Sequence, residues 1–152
     1  MNEPELRHLF AARGELATPL DLGTGPTGVR RVVPIEPGGR FEGERISGEM
    51  VGGHDWQLVR TDGVTEIDAR YLLRTDDGVM IECRNRGIRH GPPDVMRRLS
   101  SGEDVDPAAY YFRTAPTFHA PDGRYDWLNR SLFLCSGARF PDAVIVNFYE
   151  VT

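Results

Sequence analysis

The chain has 152 residues, 39% of them hydrophobic, enough for one domain with a real core and too few for two comfortable ones, so residues 1–152 are read as a single domain. A net charge of −5 and a pI of about 5.4 run against a protein whose main work is binding nucleic acid. All 18 basic residues are arginine, so a guanidinium at any one position is weak evidence that one was needed there.

The N-terminal "MNEPELRHLF" carries early acids and no apolar run, and no 18-residue apolar stretch follows, which predicts a cytoplasmic protein with no membrane partner. Residues 6–16, "LRHLFAARGEL", are ambiguous: Leu6, Leu9 and Phe10 have helical spacing, yet Gly14 interrupts it and a first strand fits equally well. Residues 20–28, "LDLGTGPTG", read as a loop; their glycines lack the Gly-Lys-Ser/Thr ending of a phosphate loop. Alternating runs broken by Gly, Pro and Asp then predict strands near 29–34, 40–50, 55–60, 64–75, 79–86, 109–118, 127–136 and 142–151. Asp62-Gly63, Asp77-Gly78 and Asp122-Gly123 are turn signals, the first two lying between strand-like runs. "PPDVMRRLSSG" is the one convincing helix, near 93–101, with prolines at its first turn, Val95, Met96 and Leu99 as an apolar stripe and Gly102 to end it. In "CRNRGIRHGPP" the strand is expected to end, turn at Gly87 and enter that helix, leaving Arg89 and His90 in a loop at a mouth.

Many short strands and one short helix predict an all-β fold, either a sandwich or a closed antiparallel barrel of about 8–10 strands. A barrel of this size holds packed side chains or one small ligand. Cys83 and Cys135 sit in apolar stretches without CxxC spacing, as reduced core thiols do, and the "NRS" at 129–131 carries no weight without a secretion route. His8, His54, His90 and His119 are scattered with no i, i+4 pair, so no metal and no cofactor are expected. No nucleophile elbow or Cys–His pair is present either.

"DGVTEIDARYLLRTDDGVMIECRNRGIRHGPP", with "GGHDWQLVR" before it and "AAYYFRTAPTFHAPDGRYDWLN" after it, resembles the uncharacterised family called domain of unknown function 3237, or uncharacterised protein family 0311. "PLDLG", "RRVVPI", "GGRFEGERISGE" and "VNFYEV" extend the resemblance over almost the whole chain. It implies a small lipocalin-like or calycin-like antiparallel barrel with residues 6–16 as a strand. It brings no settled reaction.

Site residues follow from register. If Asp77-Gly78 and Asp62-Gly63 are two-residue turns, Arg70 lies opposite Asn85 and Asp55, Leu72 opposite Cys83, and Gln57 opposite Asp68. One face then collects Asp55, Gln57, Glu66, Asp68, Arg70 and Asn85, running on into Leu72, Ile81 and Cys83. The other carries Trp56, Leu58, Ile67, Ala69, Tyr71, Arg84 and Arg86. Either the polar face is a solvated exterior with weak ion pairs, or it lines a pocket in which the aspartates must be paired or hydrogen-bonded. Alternation leans to the exterior. The resemblance leans to the pocket, because Asp68 and Arg70 fall in the family's Asp-x-Arg motif. A third turn residue or a bulge near Thr61 would bring Trp56 and Leu58 onto the polar face.

"YYFRTAP" and "YDWLNR" add Tyr111 with Arg113, and Trp127 with Asn129, each pair on one strand face, as an aromatic floor with fixed polar groups. Arg113 either points outward or meets a carboxylate. The expected function is binding of one small aromatic or carboxylate-bearing metabolite, with a cofactor-independent cyclisation, isomerisation or dehydration as the candidate chemistry. Asp55 or Asp68 would move the proton, whichever is less tightly paired. Arg70 and Arg113 would anchor the anion, Asn85 and Asn129 would orient it, and Trp56, Tyr111 and Trp127 would pack against it. The competing readings are a non-catalytic carrier or sensor and a homo-oligomeric interaction module, with a homodimer left open.

Overall fold

Strand-forming residues alternate with turn residues along nearly the whole chain, and a computed structural model describing residues Met1–Thr152 turns that pattern into ten strands and one helix. In order they are β1 (Leu6–Leu16), β2 (Leu20–Gly25), β3 (Gly28–Glu36), β4 (Arg40–Glu42), β5 (Ser47–Arg60), β6 (Thr65–Thr75), β7 (Met80–His90), α1 (Pro93–Ser100), β8 (Tyr111–His119), β9 (Leu132–Arg139) and β10 (Ala143–Val151). All pairings are antiparallel, in the order β10-β9-β8-β7-β6-β5-β4-β1-β3-β2, and β1 also pairs with β10 from Leu6↔Val151 to Glu15↔Ala143. That contact closes the sheet into a barrel, with β3 against β5 completing the wall. The ambiguous first segment is therefore a strand, as the family resemblance implies. The loop expected at 20–28 is instead the β2–β3 hairpin, and β2 lies fully exposed as the last strand of the sheet.

Both register-setting turns are one residue longer than the sequence reading takes them to be. Arg60 N–H donates to Val64 O and Gly63 N–H to Arg60 O, enclosing the three residues Thr61, Asp62 and Gly63. Likewise Thr75 N–H donates to Val79 O around Asp76, Asp77 and Gly78. Gly63 at φ +87° and Gly78 at φ +88° take the left-handed position that closes a three-residue loop. One extra residue turns β6 over relative to both neighbours. The pairs become Asp55↔Ala69, Arg70↔Arg84 and Tyr71↔Cys83. The inner face is thus Asp55, Gln57, Ile67, Ala69, Tyr71, Ile81, Cys83 and Asn85, while Trp56, Asp68, Arg70, Leu72, Arg84 and Arg86 face outward. A bulge between Met50 and Gly52 switches the parity of β5, so that Met50 and Asp55 both point inward.

The interior divides into two halves. One end is filled: Phe10, Phe41, Phe118, Phe133 and Phe148 form a buried aromatic cluster with Leu73, Ile81, Cys83 and Cys135. A 3-10 turn at Asp126–Arg130 closes that end, tied to the β6–β7 loop by Tyr125 Oη donating to Asp77 at 2.8 Å. Trp127 and Asn129 belong to this turn rather than to a strand face, because the chain coils after "DG" before β9 begins at Leu132. The other end is roofed by α1. Pro93 opens the helix, Asp94 complements its N-terminus, Val95 and Leu99 one turn apart give it a buried stripe, and Gly102 at φ +84° ends it. That stripe packs on Ile67, Val105, Tyr110 and Phe112.

Candidate functional site

Between the aromatic plug and the helix the barrel is not filled. Ala12, Gly14 and Ala69 point inward where larger side chains would close the space, and the atom-free volume, counted out to the mouth, is about 640 Å3. Its wall is mostly apolar, with Val33, Ile35, Met50, Ile67, Phe112 and Val146. Into it project Asp55, Gln57, Asn85, Arg89, Thr114 and Arg139. An apolar cleft with a few convergent polar groups is the usual form of a small-molecule site.

Asp55 is its chemical centre. It is 8% exposed, and both carboxylate oxygens accept hydrogen bonds, Oδ2 from Gln57 Nε2 at 2.6 Å and Oδ1 from the Asp68 backbone N–H at 3.1 Å. Gln57 is itself polarised, its Oε1 accepting from Arg31 Nε at 2.7 Å, the two residues facing each other across β3 and β5. The relay has one direction, from guanidinium through amide to carboxylate, and so fixes the orientation of the Gln57 side chain. None of the eleven ion pairs within 4.0 Å includes Asp55. Burial therefore prevails and raises its pKa above the ordinary aspartate value, against the opposing hydrogen bonds and the more distant charges of Arg89 and Arg31.

Asn85 lies two strands from Asp55 in the same row, with Ala69 between them. At about 4.8 Å per strand their backbones stand roughly 10 Å apart, and the small side chain of Ala69 leaves that interval open. Asn85 Nδ2 reaches only Cys135 Sγ, at 3.9 Å. Asn85 Oδ1, Thr114 Oγ1 and Arg89 Nε are buried without any protein partner. Such atoms are few in native proteins and call for a bound group that pairs with them.

Arg89 is the residue that the sequence reading misplaces. Gly87 is not a turn: β7 runs on to His90, because Gly87 sits where β8 crosses, and a Cβ there would lie 2.1 Å from Arg113 O. Two residues further on, Arg89 points inward, 4% exposed, with its guanidinium carbon 5.3 Å from the centroid of the Phe112 ring. Burial first, and then the like charges of Arg31 and Arg139, push its pKa down to about 10. His90, also expected in a loop, ends the strand exposed and stacks on Tyr111 at 5.0 Å.

Of the residues proposed from sequence, the cavity brings together Asp55 and Asn85. Asp68 is on the outer wall, gripped by Arg84 in two hydrogen bonds of 3.0 Å that lower its pKa. Arg70 is beside it, paired with Glu82 at 2.9 Å, and Trp56 is 51% exposed. The three-residue turn does set Trp56 beside Asp68, as foreseen, but on the exterior. Tyr111 and Arg113 share the outer face of β8, where Arg113 Nη1 donates to Phe112 O at 2.9 Å. Trp127 is partly buried under Arg45, whose guanidinium lies 3.8 Å above its ring, and Asn129 bonds both backbone groups of Ala120. The sequence reading sets Gln57 on the polar face without a role and Arg89 in a loop, and does not name Arg31, Thr114 or Arg139. The odd-numbered phase Ile81, Cys83, Asn85, Arg89 is the signal that points to Arg89, and no local signal marks Arg31, Thr114 or Arg139. Both cysteines are buried and free, and burial lifts the Cys83 thiol to about 12, so neither is a nucleophile near neutrality. No helix is long and apolar enough to cross a membrane.

Similar proteins share this architecture. The UPF0311 protein of Rhodopseudomonas palustris is 39% identical over 148 residues, 97% of this chain and 96% of its own, and its crystal structure, described as a conserved protein of unknown function, covers both chains fully with a TM-score of 0.95. A "beta-barrel like protein" from Acinetobacter baumannii is 37% identical, covering 100% of this chain and 98% of its own, with a TM-score of 0.87. An enzyme from Penicillium herquei has the same fold at 17% identity, with a TM-score of 0.75 over 100% of this chain and 97% of its own. The family described as protein of unknown function DUF3237 matches residues 4–151, and the chain belongs to that family.

Proposed function

We propose that the barrel binds one small, largely apolar molecule in the cavity and that Asp55 moves a proton on it, in a cofactor-independent isomerisation, cyclisation or dehydration. The observation that carries this reading is a buried carboxylate, free of any ion pair and raised in pKa, lining an apolar cleft. An aspartate so placed is a better proton carrier near neutrality than one locked to arginine, such as Asp68. Asn85 Oδ1 and Thr114 Oγ1, both without protein partners, favour a ligand that offers a hydroxyl or N–H donor at the inner end. The enzyme from Penicillium herquei, which has the same fold, is in keeping with catalysis.

The test is a thermal-shift screen of small hydroxyaromatic and unsaturated carbonyl compounds, followed by NMR of each binder with the protein in D2O. A proton-transfer enzyme exchanges a substrate carbon-bound hydrogen for deuterium, and Asp55→Asn binds the same compound without exchange. Binding with no exchange in the parent protein points to a carrier. Equal exchange by parent and Asp55→Asn overturns the assignment of Asp55.

A further inference from the structure

Ten of the chain's 18 arginines sit in ion pairs, and three of the remainder converge on one place without one. Arg31, Arg89 and Arg139 line a second, polar cleft of about 560 Å3 of atom-free space, counted out into solvent, at the helix end of the barrel, bordered by Pro19, Pro141 and the last turn of α1. Arg89 and Arg139 also line the apolar cavity, so the two compartments adjoin at these side chains. Nearby negative charge is sparse: Asp55 on the inner side and Asp142, exposed, at the rim.

Two of the three are held in place by neutral acceptors. Arg31 Nε is taken by Gln57 and Arg139 Nη1 by Phe140 O at 2.8 Å, which fixes both side chains and leaves their other N–H groups unassigned. Arg89 has no such anchor. It is 96% buried by the complement of its 4% exposure, lies near the Phe112 ring, and its Nε has no partner. Burying the Arg89 guanidinium against the like charges of the half-buried Arg31 and Arg139, with one carboxylate nearby, is unfavourable unless something else supplies negative charge. A solvated surface cluster would not have this burial.

We infer that Arg31, Arg89 and Arg139 form an oxyanion subsite, which takes the carboxylate or phosphate end of a molecule whose apolar body occupies the barrel. The planar guanidinium groups supply paired N–H donors suited to a carboxylate or phosphate. The inference rests on the cavity being the ligand site and narrows its ligand to an amphiphile: an apolar body, an anionic head at the helix end and a donor group toward Asn85.

The same chemistry arises from a free inorganic anion, and the experiment separates the two. Calorimetric titrations compare 1-naphthoate, 1-naphthol and inorganic phosphate against the parent protein and Arg89→Met, a substitution expected to fold because it removes a buried charge. A tethered head group gives naphthoate binding tighter than naphthol by roughly ten- to hundredfold, the worth of a buried charge-assisted hydrogen bond, and Arg89→Met brings the ratio of the two affinities to near unity. Phosphate binding that is lost in Arg89→Met, with neither aromatic bound, keeps the anion site and removes the cavity reading. Naphthoate no tighter than naphthol, with no phosphate binding, overturns the inference while the cavity reading stands. Binding of none of the three overturns both.

Discussion

Replacing Arg89 by methionine is expected to make the protein more stable, the reverse of the usual outcome for a buried side chain. A guanidinium pKa pushed from 12.5 to about 10 means that the charged form is disfavoured by about 3 kcal/mol at this position, at roughly 1.4 kcal/mol per unit. The sign follows from linkage: the depressed pKa makes that cost complete below about pH 10 and relieves it only as pH climbs toward 12.5. Methionine keeps most of the length and the contact with Phe112. Against the gain stands the weaker environment left to Asp55, for which Arg89 is the largest charged neighbour. The net expectation is a gain of about 1–2 kcal/mol at pH 7, or roughly 2–8 °C in Tm for a chain of this size. Arg86→Met, on the exposed face of the same strand, serves as the control and should stay within about 0.5 kcal/mol. Thermal unfolding followed by circular dichroism reads both. A fall of more than about 2 °C in Tm for Arg89→Met would mean that Arg89 is well paired, and the strained-charge reasoning would be wrong.

Three further outcomes follow from the same geometry. Asp55 has a raised pKa, so its contribution to stability is fully present below about pH 4 and lost as pH rises through its folded value; the Tm of Asp55→Asn relative to the parent should therefore climb as pH rises above about 4, and a relative Tm falling with pH would show a depressed pKa instead. Asp68→Asn breaks an exterior pair with Arg84 and should cost less than about 1 kcal/mol in urea unfolding without altering ligand binding, whereas a tenfold loss of binding would put the outer wall back in the site. A Cβ at Gly137 would lie 2.8 Å from the Phe112 ring, so Gly137→Ala should cost about 1–3 kcal/mol by pushing that ring into the cavity, and unchanged stability with unchanged probe affinity would show that the wall yields freely.

How much of this was legible in the sequence depends on single turn residues. The β-rich class, the helix at 93–101 and the barrel need only alternation, Asp-Gly punctuation and the family resemblance, and all three are present in the structure. The pocket needs register. Reading "TDG" and "DDG" as two-residue turns keeps Asp55 and Asn85 on a common face but carries Asp68 and Arg70 there with them, because β6 alone is inverted. Arg89 is hidden by a different ambiguity. A glycine between arginines reads as a turn, yet Gly87 is where β8 passes too close for any side chain, a constraint set by a strand some 25 residues away. Arg31 and Arg139 come from distant strands, and nothing local in "GVRRVVP" or "SGARFP" separates an inward arginine from the outward ones.

The sharpest single measurement is a 15N–1H NMR titration of the uniformly labelled protein with 1-naphthol, read at the side-chain amides. The expected result is that Asn85 and Gln57 shift together and saturate while Asn129, bonded to Ala120 at the far end, stays in place. Saturating shifts confined to the outer-wall groups, at the Arg70, Arg84 and Arg113 guanidinium resonances with Asn85 and Gln57 unmoved, would contradict a ligand site inside the barrel.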